Sequence, residues 1–95
     1  MSDGKPDGAP RFLHISSAVV STFPERCDAV VRQINALPGS EVHRVENGKI
    51  VIVLEGESTG EIGARLTGIA LFDGVLSANL VFEQIEPLDE IGVQS

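Results

Sequence analysis

Hydrophobic residues along this chain repeat at two spacings, one of two residues and one of three to four. Residues 13–20, Leu-His-Ile-Ser-Ser-Ala-Val-Val, form a short run that ends in two β-branched side chains, which predicts a strand. Pro24 then suits a first helical position, where its missing N–H would be unpaired in any case. Glu25 and Asp28 sit where the positive end of the helix dipole favours acids. Cys27, Val30, Val31 and Ile34 follow at i, i+3, i+4 and i+7, the apolar stripe of a one-sided helix. Leu37-Pro38-Gly39 ends it, because a proline disfavours the α region for the residue before it.

Asn47-Gly48 stands between two β-prone runs, 41–46 and 49–55. Asn-Gly is the strongest short hairpin signal, since a type I′ turn needs positive φ at both central residues. A two-residue loop then sets Glu46 opposite Lys49, Val45 opposite Ile50, Arg44 opposite Val51, His43 opposite Ile52 and Val42 opposite Val53. Ser58-Thr59-Gly60-Glu61 has the spacing of a capping box. Ile62, Leu66 and Ile69 continue it as a helix that carries Gly63 and Gly68. Phe72-Asp73-Gly74 turns the chain into a last alternating strand over 75–83.

The order between residues 13 and 83 is β-α-β-β-α-β, the ferredoxin-like plan, an α+β fold. Four antiparallel strands form one sheet, strands 1 and 3 are central, and both helices cover one face. The other face carries the functional question. The hairpin register puts Val45, Ile50, Ile52 and Leu54 on the covered side and Val42, Val51 and Val53 on the open side. Alternation in the last strand puts Leu76, Ala78, Leu80 and Phe82 inside and Ser77, Asn79 and Val81 outside. Strand 1 admits two parities: Ile15 and Val19 inward, which exposes Ser16 and Ala18, or the reverse, which exposes Ser17. Either way the open face mixes valines, small residues and hydroxyls. It is more apolar than a merely solvated sheet face and suits a closely packed peptide. Residues 1–12 and 84–95 read as flexible tails around a domain at 13–83.

Composition narrows the chemistry. The 95 residues carry 14 acidic and 7 basic side chains, a formal net charge of -7, so the overall field repels nucleic acids and anionic membrane surfaces. Four Phe with no Trp or Tyr, and none of the four within strands 1 and 3 as read, give no platform for stacking RNA bases. The lone Cys27 excludes an internal disulfide and any thiolate-rich zinc site, and it belongs to the helix stripe, so it reads as core. His14 and His43 read as strand histidines without a catalytic partner. No catalytic, metal or phosphate-binding motif is present, so no cofactor is expected. No run approaches the roughly 20 apolar residues of a membrane span, and no targeting segment is visible, which implies a cytoplasmic protein.

Four segments, taken in order and spacing, resemble the NapD family. They are Ile15-Ser16-Ser17-Ala18-Val19-Val20, residues 34–42 (Ile-Asn-Ala-Leu-Pro-Gly-Ser-Glu-Val), residues 48–55 (Gly-Lys-Ile-Val-Ile-Val-Leu-Glu) and residues 74–82 (Gly-Val-Leu-Ser-Ala-Asn-Leu-Val-Phe). The resemblance implies a non-catalytic cytoplasmic chaperone. Such a chaperone binds the twin-arginine signal peptide of the nitrate reductase precursor, NapA, as a helix on the open sheet. It holds back Tat export until the molybdenum cofactor and iron–sulfur cluster are inserted, and carries neither itself. The expected peptide contacts are Ser16, Ala18, Val51, Val53, Ser77, Asn79 and Val81, with Ser17 as the alternative for the other parity of strand 1. A different class is a small-ligand regulatory domain on the same fold, similar to an ACT module.

Overall fold

A computed structural model describes residues 12–87. β1 is Phe12–Thr22, α1 is Cys27–Asn35, β2 is Ser40–Glu46, β3 is Lys49–Gly56, α2 is Thr59–Ala70 and β4 is Val75–Pro87. The strands pair antiparallel in the order β2-β3-β1-β4, so β1 and β3 are central. Pro24–Arg26 forms a single 3-10 turn before α1, closed by the Arg26 N–H donating to the Phe23 carbonyl at 2.9 Å.

Asn47 and Gly48 both take positive φ, 53° and 77°, the turn that Asn-Gly specifies. Gly48 meets a second demand. The Thr22 N–H donates to its carbonyl at 2.8 Å, and a Cβ at Gly48 would stand 3.0 Å from the Thr22 carbonyl oxygen. Ser58 caps α2, its Oγ accepting from the Glu61 N–H at 3.0 Å. Glu61 returns one residue further out than a regular capping box, its carboxylate accepting from the Glu57 N–H at 2.7 Å.

The core is one layer between the helices and the sheet. Cys27, Val30 and Ile34 of α1 and Ile62 and Ile69 of α2 pack with Ala18 and Val20 of β1 and Ile50, Ile52 and Leu54 of β3. Burial of each large aliphatic side chain contributes about 1.5–3 kcal/mol. Within this layer, β1 turns its smaller residues inward. Ser16 lies opposite Leu54, Ala18 opposite Ile52 and Val20 opposite Ile50. Three bulky residues on β3 and the isoleucines of both helices already fill the space, so only small side chains fit across from them at interior packing density.

Three register shifts break the regular ladders, two of them after the first few pairs of an edge strand. In β2 the shift between Val42 and Arg44 makes His43 an extra residue, so Val42, not His43, faces Ile52. In β4, Leu76 and Val81 are extra residues, lying between the pairs Thr22–Val75 and Ser21–Ser77 and between Ala18–Leu80 and Ser17–Phe82. Bulges of this kind are common on edge strands, where they increase twist and blunt pairing with other chains. Both edge strands also hold more than the alternation of their residues suggests. β4 continues through Gln84, Ile85, Glu86 and Pro87, which pair with Ile15, His14, Leu13 and Phe12. The rest of the expected tails, 1–11 and 88–95, lies outside the described residues.

Candidate binding face

The pairing registers sort every paired strand position onto one of two faces, because directly opposed residues in an antiparallel ladder point the same way. On the uncovered face, successive rows across β2, β3, β1 and β4 can be read off in order. Leu13 pairs with Glu86; Glu55, Ile15 and Gln84 come next; then Glu41, Val53, Ser17 and Phe82; then Arg44, Val51, Val19 and Asn79; and last Glu46, Lys49, Ser21 and Ser77. A hydrogen bond from Gln84 Nε2 to Glu86 Oε2 at 2.6 Å agrees with their shared side.

Of the expected contacts, Ser17, Val51, Val53, Ser77 and Asn79 lie on this face. Ser16 and Ala18 do not: both are fully buried beneath the helices. The alternative parity of β1 therefore holds, and its cause is the small-against-large pairing with β3. Val81 is the extra residue of the β4 bulge and is 60% exposed; alternation assigns it to neither face. Val42 joins the covered side and packs against the core, because His43 is bulged out. Phe82 makes the opposite move. Expected inside, it lies on the open face beside Ser17 and is 60% exposed. Leu76, also expected inside, is an extra residue and 57% exposed.

Four apolar members of the face escaped the reading of the sequence. Leu13, Ile15 and Val19 were hidden by the ambiguous parity of β1, and Phe82 by a bulge that leaves no local signature. Together with Val51 and Val53 they form an apolar centre, with Ser17, Ser21, Ser77 and Asn79 as hydrogen-bonding groups among and beside them. Phe12 adds an aromatic to β1 that a 13–20 strand omits, but alternation places it with His14 on the covered side, so the open face of β1 still offers no stacking ring.

Two shallow hollows mark this surface. One is lined by Gly39, Ser40, Glu41, Val53 and Glu55, the other by Arg44, Glu46, Asn47, Lys49 and Val51. The first depends on Gly39, whose φ of 75° turns the chain and where a Cβ would stand 2.8 Å from the Glu55 carbonyl oxygen. Arg65 of α2 ties this corner from the covered side, donating to the Glu55 carbonyl and pairing with Glu61 at 3.5 Å.

The remaining polar chemistry is on the covered side. His14 Nδ1 lies 3.6 Å from Glu83 Oε2, which also accepts from the Thr59 hydroxyl at 3.4 Å. Ser16 Oγ, nearby on β1, is buried without a hydrogen-bond partner. His43 is exposed at its bulge and Cys27 is a buried free thiol. Among the described residues no group of three His, Cys, Asp or Glu side chains could hold a metal ion, and no helix is long and apolar enough to cross a membrane.

A ferredoxin-like α+β sheet whose second face, with its apolar centre, is covered by none of the described residues defines a protein of the binding class. Residues 13–87 match the family model described as NapD protein. The chain is 55% identical over 83 residues to the chaperone NapD of Paracoccus pantotrophus, covering 87% of this chain and 74% of that protein. It is 31% identical over 78 residues to the chaperone NapD of Escherichia coli K12, covering 80% of this chain and 90% of that one. Its fold is similar to the solution structure of the E. coli Tat proofreading chaperone protein NapD, with a TM-score of 0.70 and 30% identity over 76% of this chain and 78% of that chain. The chain belongs to the NapD family. Its relatives are named chaperones, a non-catalytic role, and it is a chaperone and not an enzyme. This match selects the chaperone over the ACT-like regulatory module.

Proposed function

We propose that this chain binds the twin-arginine signal peptide of a NapA-type nitrate reductase precursor on its open sheet face, in the cytoplasm. By holding that peptide it delays export until the cofactors of the enzyme are in place. The observation that carries the reading is the bare apolar centre formed by Ile15, Val19, Val51, Val53 and Phe82, framed by serines and Asn79. A face of this kind can bury one side of an amphipathic helix and satisfy its polar groups at the margin. Ser17, between Val53 and Phe82 and beside Val19, keeps the middle of this surface low enough for a helix to approach. Family membership and a structural relative described as a Tat proofreading chaperone support the peptide as the occupant.

Calorimetry with a signal peptide from a NapA-type precursor tests this. Val53→Glu places a carboxylate in the middle of the apolar centre, at a strand position that is only half-buried, so the chain still folds. Binding to the unaltered chain and its loss in the folded variant are expected. Equal affinity in both would overturn the proposal.

A further inference from the structure

The open face has a charge polarity along its strands. At the end where β1 begins, Glu86, Glu55 and Glu41 fall in three successive rows with no base among them. At the hairpin end, Arg44 and Lys49 fall in the last two rows with Glu46 as the single acid. The two hollows repeat this division: Glu41 and Glu55 flank one floored by Val53, and Arg44 and Lys49 flank one floored by Val51.

From these rows the geometry points to one fixed direction of docking, an inference that rests on the function proposed above. A signal peptide carries its positive charges at its N-terminal end and its apolar run after them. The arginine pair lies over the hollow between Glu41 and Glu55. The apolar run then passes over Val53, Val51 and Val19 toward the Asn47-Gly48 turn. Two independent electrostatic effects select this direction. The reverse one would set the arginines against Arg44 and Lys49. A helix dipole also favours acids at its N-terminus and bases at its C-terminus, which matches the acidic end and the hairpin end respectively. The span suits a peptide helix: Glu55 to Lys49 covers about 20 Å of strand, the length of a helix of roughly 13 residues. With a screening length of about 8 Å at physiological salt, Glu55 and Lys49 at the two extremes act separately, whereas Arg44 lies only one row from Glu41.

The test pairs two peptides, the natural twin-arginine sequence and one with both arginines changed to glutamine, with two double variants. Glu41→Gln with Glu55→Gln neutralises the acidic end, and Arg44→Gln with Lys49→Gln neutralises the hairpin end. All four side chains are exposed, so both variants keep the fold. At low salt the acidic-end variant should bind the natural peptide about tenfold more weakly, the effect of a partly desolvated charge pair. It should bind the glutamine peptide as the unaltered chain does. The hairpin-end variant should bind both peptides at least as well as the unaltered chain to within about twofold, because in this direction Arg44 and Lys49 repel the arginines and never pair with them. A nitroxide on the N-terminus of the peptide should broaden the amide signals of Glu41 and Glu55 in the unaltered chain, not those of Asn47 and Lys49. Coupling of the arginines to the hairpin end, or broadening there, overturns the direction and leaves the function standing. A chain that binds neither peptide overturns both.

Discussion

Truncating Phe82 to alanine separates binding from folding. The ring lies on the open face beside Ser17 and is 60% exposed. Phe buries on the order of 200 Å² when fully covered, so about 120 Å² of this side chain is available to a ligand. At about 25 cal/mol per Å², full coverage would contribute about 3 kcal/mol, and coverage of half about 1.5 kcal/mol. Phe82→Ala should therefore weaken a twin-arginine peptide by about tenfold to a hundredfold in calorimetry. The loss to folding is smaller, about 1 kcal/mol, since less than half of the ring is covered in the free chain and alanine keeps Cβ. Ile85→Ala is the matched control. Ile85 is 53% exposed on the same strand but opposes His14 on the covered side. It should lose a similar amount of stability and no affinity. Equal affinities for Phe82→Ala and the unaltered chain, or a larger loss for Ile85→Ala, would refute the placement of the β4 bulge and the face derived from it.

Three further outcomes are expected of the same structure. Ser16→Ala removes a buried hydroxyl that has no partner, and should raise stability by about 1 kcal/mol, a gain of roughly 4–8 °C in Tm, without changing peptide affinity; a lower Tm would mean that the hydroxyl is paired, for instance to an enclosed water. Gly68→Ala lies inside α2, where an added Cβ meets nothing within 4 Å, and should raise the urea midpoint by the equivalent of about 0.5–1 kcal/mol, a gain whose absence would contradict a regular α2 there. Peptide binding should weaken as salt is raised from about 50 to about 500 mM, because the docking proposed above sets exposed carboxylates against the arginines; salt-independent affinity would assign the whole interaction to apolar contacts.

Much of the fold was legible in the residues because local signals agreed with the global plan. Asn47-Gly48, Ser58 with Glu61, and the stripe of Cys27, Val30, Val31 and Ile34 each specify their element without help from distant residues. The faces of β3 were legible for the same reason, since its inward isoleucines and leucine are bulkier than its outward valines. β1 was not, because its inward side is the less hydrophobic one. Ile15 and Val19 carry more apolar surface than Ser16 and Ala18, yet the space between β3 and the helices admits only the smaller pair. That constraint lies in tertiary volume and leaves no trace in periodicity. The bulges at Leu76 and Val81 are likewise products of pairing between strands far apart in sequence, and the one at His43 lies inside the local hairpin without a residue signal of its own. Each reverses the parity of the strand residues on one side of it relative to the other, which is how Val42 moved inward and Phe82 outward.

In the function proposed above, this chaperone holds its peptide on the open face of the sheet. Titration of a twin-arginine signal peptide into the isotopically labelled chain, monitored by amide chemical shifts, tests it most directly. The largest changes are expected at Ser17, Val19, Val51, Val53, Asn79 and Phe82, with α1 and the outer side of α2 little affected. Changes concentrated on the helices, with those strand residues unmoved, would contradict it.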